Sequence, residues 1–270
     1  MKKILVGALI VVCIGLIGTV VLATGFSIGP KAEIDETKTF QANGVERVVI
    51  QSEIGNIQVK ESTNNKIGVH VYAEMAKRHL DRYQYEIKQD GEVLYVTTEE
   101  DEKRLISIPF IHFDGNGERY IEVSLPKEMI NQLDVESNIG EIKLGEIAVN
   151  ELNVTSDVGE ILIEAFSGQK ANLHSNVGKT TLKSAVGEVN VQTDTGEIHV
   201  TMDEVTDDVT LQSKVGEINV QVKNIPDEVG LEVNSNVGEV DVQGPFIMNA
   251  ETDGPVIKAI TDVGEINVTQ

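Results

Sequence analysis

At 270 residues the chain is long enough for one or two domains with a sizeable buried core. Valine and isoleucine are abundant, 24 glycines punctuate the chain, only 4% of it is aromatic and tryptophan is absent, a composition that suits many short strands separated by turns. The net charge is −22 and every acidic residue lies from Glu33 onward, so the surface repels phosphate backbones and anionic headgroups; nucleic acid is excluded as a partner, and the charge serves solubility or a cationic partner.

In chain order, a short cytoplasmic tail (1–3) precedes an apolar run, Ile4 to Ala23, of twenty residues without a charge. A helix of that length spans roughly the 30 Å hydrocarbon core of a bilayer. The run exceeds the usual apolar stretch of a secretory signal, so residues 4–24 are read as an uncleaved single-pass anchor in the cell membrane; a signal cleaved after Val21-Leu22-Ala23 is the alternative. Lys2 and Lys3 hold the N-terminus inside and leave the C-terminal part extracytoplasmic. Cys13, the single cysteine, sits inside this run behind Val12, which does not fit lipid attachment, and it allows neither an intrachain disulfide nor a thiolate metal cluster. Residues 25–44, with lysine and glutamate, read as a stalk.

Residues 45–128 read as an N-terminal β-strand region. Lys66 to Met75, Tyr83 to Thr98, and the pair Leu105 to Phe113 and Gly117 to Pro126 have strand character, with Asp90-Gly91 and Asn116-Gly117 as hairpin turns and Glu99 to Arg104 as a solvated loop.

From 129 to 270 one phrase recurs, as in SDVGEILI and SNVGEVDV. Aligned on its glycine it has nine copies, at Gly55, Gly140, Gly159, Gly178, Gly187, Gly196, Gly216, Gly238 and Gly264. Position −3 is always serine or threonine, position −1 is valine or isoleucine except at Thr195, and position +4 is aliphatic. Apolar residues at −7 and −5, such as Leu133 and Val135, join −3 and −1 in an alternation that predicts one inward strand face. After the glycine the inward positions are +2 and +4, so the parity shifts by one, as at a bulge or corner where glycine supplies positive φ. From Gly140 the main copies are 19, 19, 18, 20, 22 and 26 residues apart, with Gly187 midway in one interval. That period predicts a β-solenoid of two strand-and-corner units per coil; a roll of antiparallel strands sharing the same corner is the alternative. The last residues, Ile266 to Gln270, follow a corner without a cap, so they either pair with earlier strands or offer an edge to another chain.

These features, an apolar segment, strands ending in IEVSLPKEM (Ile121 to Met129), then LDVESNIGEIKL (Leu133 to Leu144) and its repeats, resemble the bacterial putative-adhesin β-strand-repeat family, which includes LiaG-like membrane-anchored cell-envelope proteins. The resemblance covers about residues 40 to 270. It implies a repetitive all-β ectodomain without established enzymatic activity, no catalytic residues to carry over and no cofactor, and a setting in envelope stress.

The glutamate of the phrase is the candidate functional group. Stacked coils would align Glu141, Glu160, Glu197, Glu217, Glu239 and Glu265, with Lys179 in the same row. Such a row is a charged, solubilising corner, or a weak calcium or magnesium ladder completed by Asp157, Asp194 and Asp262, although the calcium-solenoid pattern GGxGxDxUx is absent. The five histidines, His70, His79, His112, His174 and His199, have no close ligand spacing, and no nucleophile elbow or phosphate loop occurs. The expectation is therefore a non-enzymatic binding or scaffold module at the cell envelope whose partner is an envelope protein or a glycan. An adhesive or polysaccharide-binding surface protein is the alternative, and a carbohydrate-active β-helix enzyme comes third. The sequence leaves the oligomeric state open.

Overall fold

The computed structural model describes residues 30–100, 117–127, 130–225, 228–248 and 253–270. The expected anchor at 4–24, the strand at 105–113, Asn116 of the Asn116-Gly117 turn and most of the 99–104 loop lie outside them. Among the described residues no helix is long and apolar enough to cross a membrane.

Strands come first as Lys31–Gln41 (β1), Arg47–Ile54 (β2), Asn56–Glu61 (β3) and Lys66–Ala76 (β4). A 3-10 turn, Lys77–Arg82, leads to Tyr83–Asp90 (β5), Val93–Glu100 (β6) and Arg119–Leu125 (β7). The repeat region supplies Gln132–Ile139 (β8), Ile142–Ala148 (β9), Glu151–Val158 (β10), Ile161–Val177 (β11), Thr180–Leu182 (β12), Ala185–Thr195 (β13) and Ile198–Glu204 (β14). It ends with Val209–Val215 (β15), Ile218–Asn224 (β16), Gly230–Val237 (β17), Val240–Val242 (β18), Ile247–Met248 (β19), Val256–Val263 (β20) and Ile266–Thr269 (β21).

Among the described residues the strands pair as two long ladders that meet through β11, giving one 21-stranded sheet around a common core. One ladder runs β5, β6, β2, β8, β10, the second half of β11, β13, β15, β20 and β17. The other runs β1, β4, β7, β3, β9, the start of β11, β12, β14, β16, β21 and β18. Each coil crosses from the first ladder to the second at the glycine of the repeated phrase. Neighbouring coils are parallel and in register, Leu133 beside Leu152 and Ser137 beside Ser156, as the 19-residue period predicts. The antiparallel roll is thereby replaced by a coil, with antiparallel pairing confined to the N-terminal strands β1, β4 and β5.

Inside, each position of the phrase becomes a stack. Leu133, Leu152, Ala171, Val189, Val209 and Ile257 form one column, and Ile142, Ile161, Ile198, Ile218 and Ile266 face them from the other ladder, all at most 1% exposed. Each fully buried branched side chain contributes roughly 1.5 to 3 kcal/mol, and these columns are the main source of stability.

Three expectations change. Residues 31–41, assigned to a stalk, form a strand that pairs along its whole length with β4, because its alternate residues pack on that strand's edge. Gly187 does not belong to the glycine corner of the other eight copies; it stacks on Gly168 where the chain returns to the first ladder, so the half-period copy marks the second corner of the coil. The valine or isoleucine at −1 does not face the core: the chain leaves the core directly after −3, and Ile139, Val158 and Val177 stand about half exposed.

The end of the chain pairs with earlier strands. β20 lies between β15 and β17, and β21 between β16 and β18, so the last coil in sequence is the last but one in space. The coil left at the open end is β17 and β18, where Val237 is 65% exposed and, among the described residues, only the two-residue β19 pairs outside it.

The corner glycines are required for two reasons. Gly159 has φ of +152°, a region that side chains avoid, and a Cβ on it would fall on the carbonyl oxygen of Gly140; the same relation links Gly238 to Gly264. Below each of these corner glycines the −3 hydroxyl is buried, except at Gly238 on the open end, where Ser235 is half-buried. Thr261 Oγ1 donates to Gly216 O at 3.1 Å and Ser235 Oγ to Gly264 O at 2.8 Å. Ser137, Ser156, Ser175 and Thr193 are equally enclosed but have no protein hydrogen-bond partner.

Replacing Gly159 with valine is expected to lower unfolding free energy by about 3 kcal/mol or more, because strain and overlap add, whereas Glu160→Gln stays within about 0.5 kcal/mol. Urea denaturation measures both. The hydroxyl column gives a finer contrast: Thr261→Val should cost about 1 kcal/mol, while Thr193→Val, which removes a buried hydroxyl with no protein partner, should be neutral or stabilising.

Candidate functional site

The corner carries three parallel rows along the stack. The glycines follow the order Gly55, Gly140, Gly159, Gly178, Gly196, Gly216, Gly264, Gly238, each up to Gly264 held by an amide bond to the next coil, as Gly159 N to Val177 O at 3.0 Å. Residues at −1, 0 and +1 therefore keep fixed places relative to one another.

The +1 row brings together the glutamates singled out in the sequence. Bonds such as Ile142 N to Glu160 O, Ile198 N to Glu217 O and Ile266 N to Glu239 O set their order as Glu141, Glu160, Lys179, Glu197, Glu217, Glu265, Glu239. Several carboxylates are engaged locally: Lys143 reaches Glu141 at 2.7 Å, Lys179 and His199 reach Glu197 at 3.6 and 3.0 Å, and Asn267 donates to Glu217 at 3.0 Å. The −2 aspartates are likewise held, Asp157 by Asn176, Asp194 by Lys214 and Asp262 by Asn236. Among the described residues no three or more His, Cys, Asp or Glu side chains are grouped so as to hold a metal ion.

The −1 row was misjudged in the sequence as core. It runs Ile139 (51% exposed), Val158 (49%), Val177 (49%), Thr195, Val215 (48%), Val263 (46%) and Val237 (65%). This is an apolar ridge along the corner, interrupted at Thr195 and bordered on both sides by the charged and amide rows. Hydrophobicity alone could not reveal it, since single exposed valines are ordinary; the signal is that four residues separate the inward −3 from the inward +2.

A second feature lies on the outer face of the first ladder. Asp134, Asn153, Asn172 and Asn190 occupy position −6 of successive coils and pass a side-chain hydrogen bond from rung to rung at 2.9, 2.9 and 3.4 Å. The three asparagines border a groove of about 460 Å³ that also includes Thr155, His174 and Gln192. Alignment of position −6 would have revealed this row. At one end Arg47 donates to Asp134 at 2.6 Å, a bond that raises the guanidinium pKa. Nearby, a hydrogen bond from Lys170 and another from Asn190 hold the Glu188 carboxyl below its usual value.

Nearer the N-terminal strands a polar cleft of about 560 Å³ is lined by Gln51, Glu53, Arg82, Glu99 and Glu136 among others. On the opposite ladder Tyr72 and Tyr120 stack at 5.2 Å, His70 meets Tyr120 edge-on at 5.3 Å and bonds Asp35 at 2.9 Å. Partial desolvation, followed by the charge of neighbouring carboxylates, raises the pKa of both tyrosines. The other described histidines are dispersed, His174 on Asn176 and His199 on Glu197.

Comparison with known proteins agrees with this architecture. A putative adhesin from Bacteroides fragilis superposes with a TM-score of 0.54 at 18% identity, covering 90% of this chain and 99% of that one. A putative cell adhesion protein from Clostridium sporogenes gives 0.39 at 16% identity over 88% and 100%, and a putative lipid binding protein from Parabacteroides distasonis gives 0.33 at 14% over 86% and 96%. No curated protein matches the chain. The profile of one family matches twice, over residues 45–176 and 130–269, and the two matches start as far apart as Gly55 and Gly140, the glycines of adjacent coils. With nearly all of the coiled region so covered, the chain belongs to the Toastrack DUF4097 family, a repetitive all-β family whose structural neighbours include proteins named as putative adhesins.

Proposed function

We propose that this chain is a non-enzymatic binding module, anchored in the cell membrane by residues 4–24 and standing outside it, that holds an envelope partner along its glycine corner. The observation that carries this reading is the ridge of half-exposed branched side chains from Ile139 to Val237 on a hydrogen-bonded frame. Contiguous apolar surface of this kind is kept by soluble domains chiefly where something docks. A frame that needs no rearrangement also spares the entropy of ordering a loop on binding. The engaged state of Glu141, Glu197, Glu217 and the aspartates favours a surface over a reaction centre. The link to envelope stress rests on the family resemblance, and in that setting the module acts as a scaffold beside a membrane signalling protein.

The groove bordered by Asn153, Asn172 and Asn190 favours a second reading, in which the uncharged amides bind a cell-wall glycan and the protein is an adhesive surface module. Amide side chains donate and accept, as sugar hydroxyls require.

Crosslinking the tagged full chain to envelope proteins in membranes, and binding it to immobilised cell-wall glycan, separates the two. For the ridge reading, Val158→Thr with Val177→Thr and Val215→Thr should lower protein capture at least tenfold, and Asn172→Ala with Asn190→Ala should leave it unchanged. Capture that survives the threonine changes, with glycan binding lost in the alanine variant, would replace the first reading by the second.

A further inference from the structure

The ridge has a spacing, a direction and a charge environment, and together these specify what can lie on it. Thr195 divides it into two runs of three, Ile139, Val158 and Val177, then Val215, Val263 and Val237. Successive rungs are about 4.8 Å apart, the spacing of paired strands. An α-helix presents one apolar residue per 5.4 Å turn on a single face, so over the two steps of one run it drifts out of step by only about 1.2 Å. An extended strand presents same-side residues about 6.8 Å apart and drifts by about 4 Å over the same run. Nor can a strand join by backbone pairing, because the amide and carbonyl groups of the corner are already bonded between coils, as in Gly216 N to Val263 O and Ile218 N to Glu265 O.

The borders set the charge of the occupant. Beside the second run stand Glu217, Glu265 and Glu239 at +1 and Lys214, Asp262 and Asn236 at −2, so Lys214 is the one cation among these six residues. Among the described residues Lys214 is paired to Asp194 of the neighbouring coil, and Glu239 and Glu265 have no ion pair. A second copy of this chain, with its net charge of −22, and an anionic bilayer are both repelled.

We infer that the ridge binds a basic amphipathic helix of a partner, at least three turns long, whose apolar stripe seats on Val215, Val263 and Val237 and whose lysines or arginines reach Glu217, Glu265 and Glu239. This rests on the corner being the binding surface, and it names the partner's chemistry. A helix of that kind reads the ridge through alternate apolar and charge contacts, so both parts are needed: the apolar row alone does not select charge, and the acidic row alone does not select helix.

The test uses the full chain in nanodiscs of zwitterionic lipid, with empty nanodiscs subtracted, titrated against a labelled 18-residue helix carrying leucine on one face and lysine on the other. The control peptide has the same composition with its leucines scattered. The helix is expected to bind at least tenfold more tightly than the control. Val215→Thr with Val263→Thr and Val237→Thr should weaken the helix at least tenfold and leave the control unchanged. Thr195 already occupies the same rung position, so these changes fit the fold, and an unchanged melting temperature verifies it. Where melting does shift, Glu217→Gln with Glu265→Gln and Glu239→Gln, all on the outer corner, gives the same comparison from the charged side and should also weaken the helix tenfold. Equal affinity for both peptides, or a helix affinity indifferent to either set of changes, overturns the inference. Should the threonine changes abolish envelope capture while the helix fails to bind, the ridge is a docking surface for some other shape, and only the helix inference falls. If capture also survives, the docking reading falls with it.

Discussion

Backbones come too close for a side chain at the corner, where one glycine's carbonyl oxygen occupies the place a Cβ of the next glycine would take. Everything else in the coil depends on that contact. Coils joined through a bulkier corner could not come within pairing distance on both ladders at once, and the columns of Ile142, Ile161 and Ile198 would lose their contact. The positive φ of these residues adds a second demand for glycine, but the first is the more restrictive, since asparagine can adopt some positive-φ conformations and still cannot remove its Cβ.

From this contact the roles of the neighbouring positions follow. The residue at −3 is enclosed beside the corner backbone, where a small side chain fits and a hydroxyl can reach a glycine carbonyl, as Thr261 and Ser235 do. The residue at −1 lies beyond the last inward position and is left outside, while +1 is fixed by the ladder bonds on the second side. Thus the phrase reads as inside, outside, bend, outside, and a single backbone constraint sorts a buried hydroxyl from an exposed valine only two residues away.

Much of this was legible in the sequence, because a period of 19 with a half-period copy can be satisfied by few folds. Even the reordered end left a trace. The longest intervals, 22 and 26 residues, flank Gly238, where the chain must skip a rung to leave room for β20 and β21 and then come back to fill it. What could not be read was the direction of the −1 side chain: apolar identity argues for burial in a strand but says nothing at a bend, where alternation lapses. The strand at 31–41 was missed for a related reason. Its inward-facing positions, such as Ala32, Ile34 and Phe40, are interleaved with charges and lie on an outer strand that is only partly buried, so its composition resembles a stalk. The amide row escaped notice because Asn153, Asn172 and Asn190 look like ordinary exposed polar residues until the coils are superposed.

Charge completes the argument about where such a frame can act. Two like charges one rung apart repel by roughly 0.8 kcal/mol in water, less with salt, and Lys143 and Lys179 already relieve parts of the row. The folded coil therefore tolerates its acidic corner without a bound cation, and the charge not neutralised internally is available to a partner. The two ends of the stack differ in the same sense. At the N-terminal side β5, and β4 with β1, close the ladders with antiparallel strands, so a further parallel coil has no matching edge there. At the other side β17 and β18 are the least buried coil, with Val237 and Glu239 on the rung farthest from the N-terminal strands. The most exposed side chain of the ridge, Val237, thus shares the last rung with a carboxylate that has no ion pair among the described residues, so apolar surface and unneutralised charge coincide at this end of the corner.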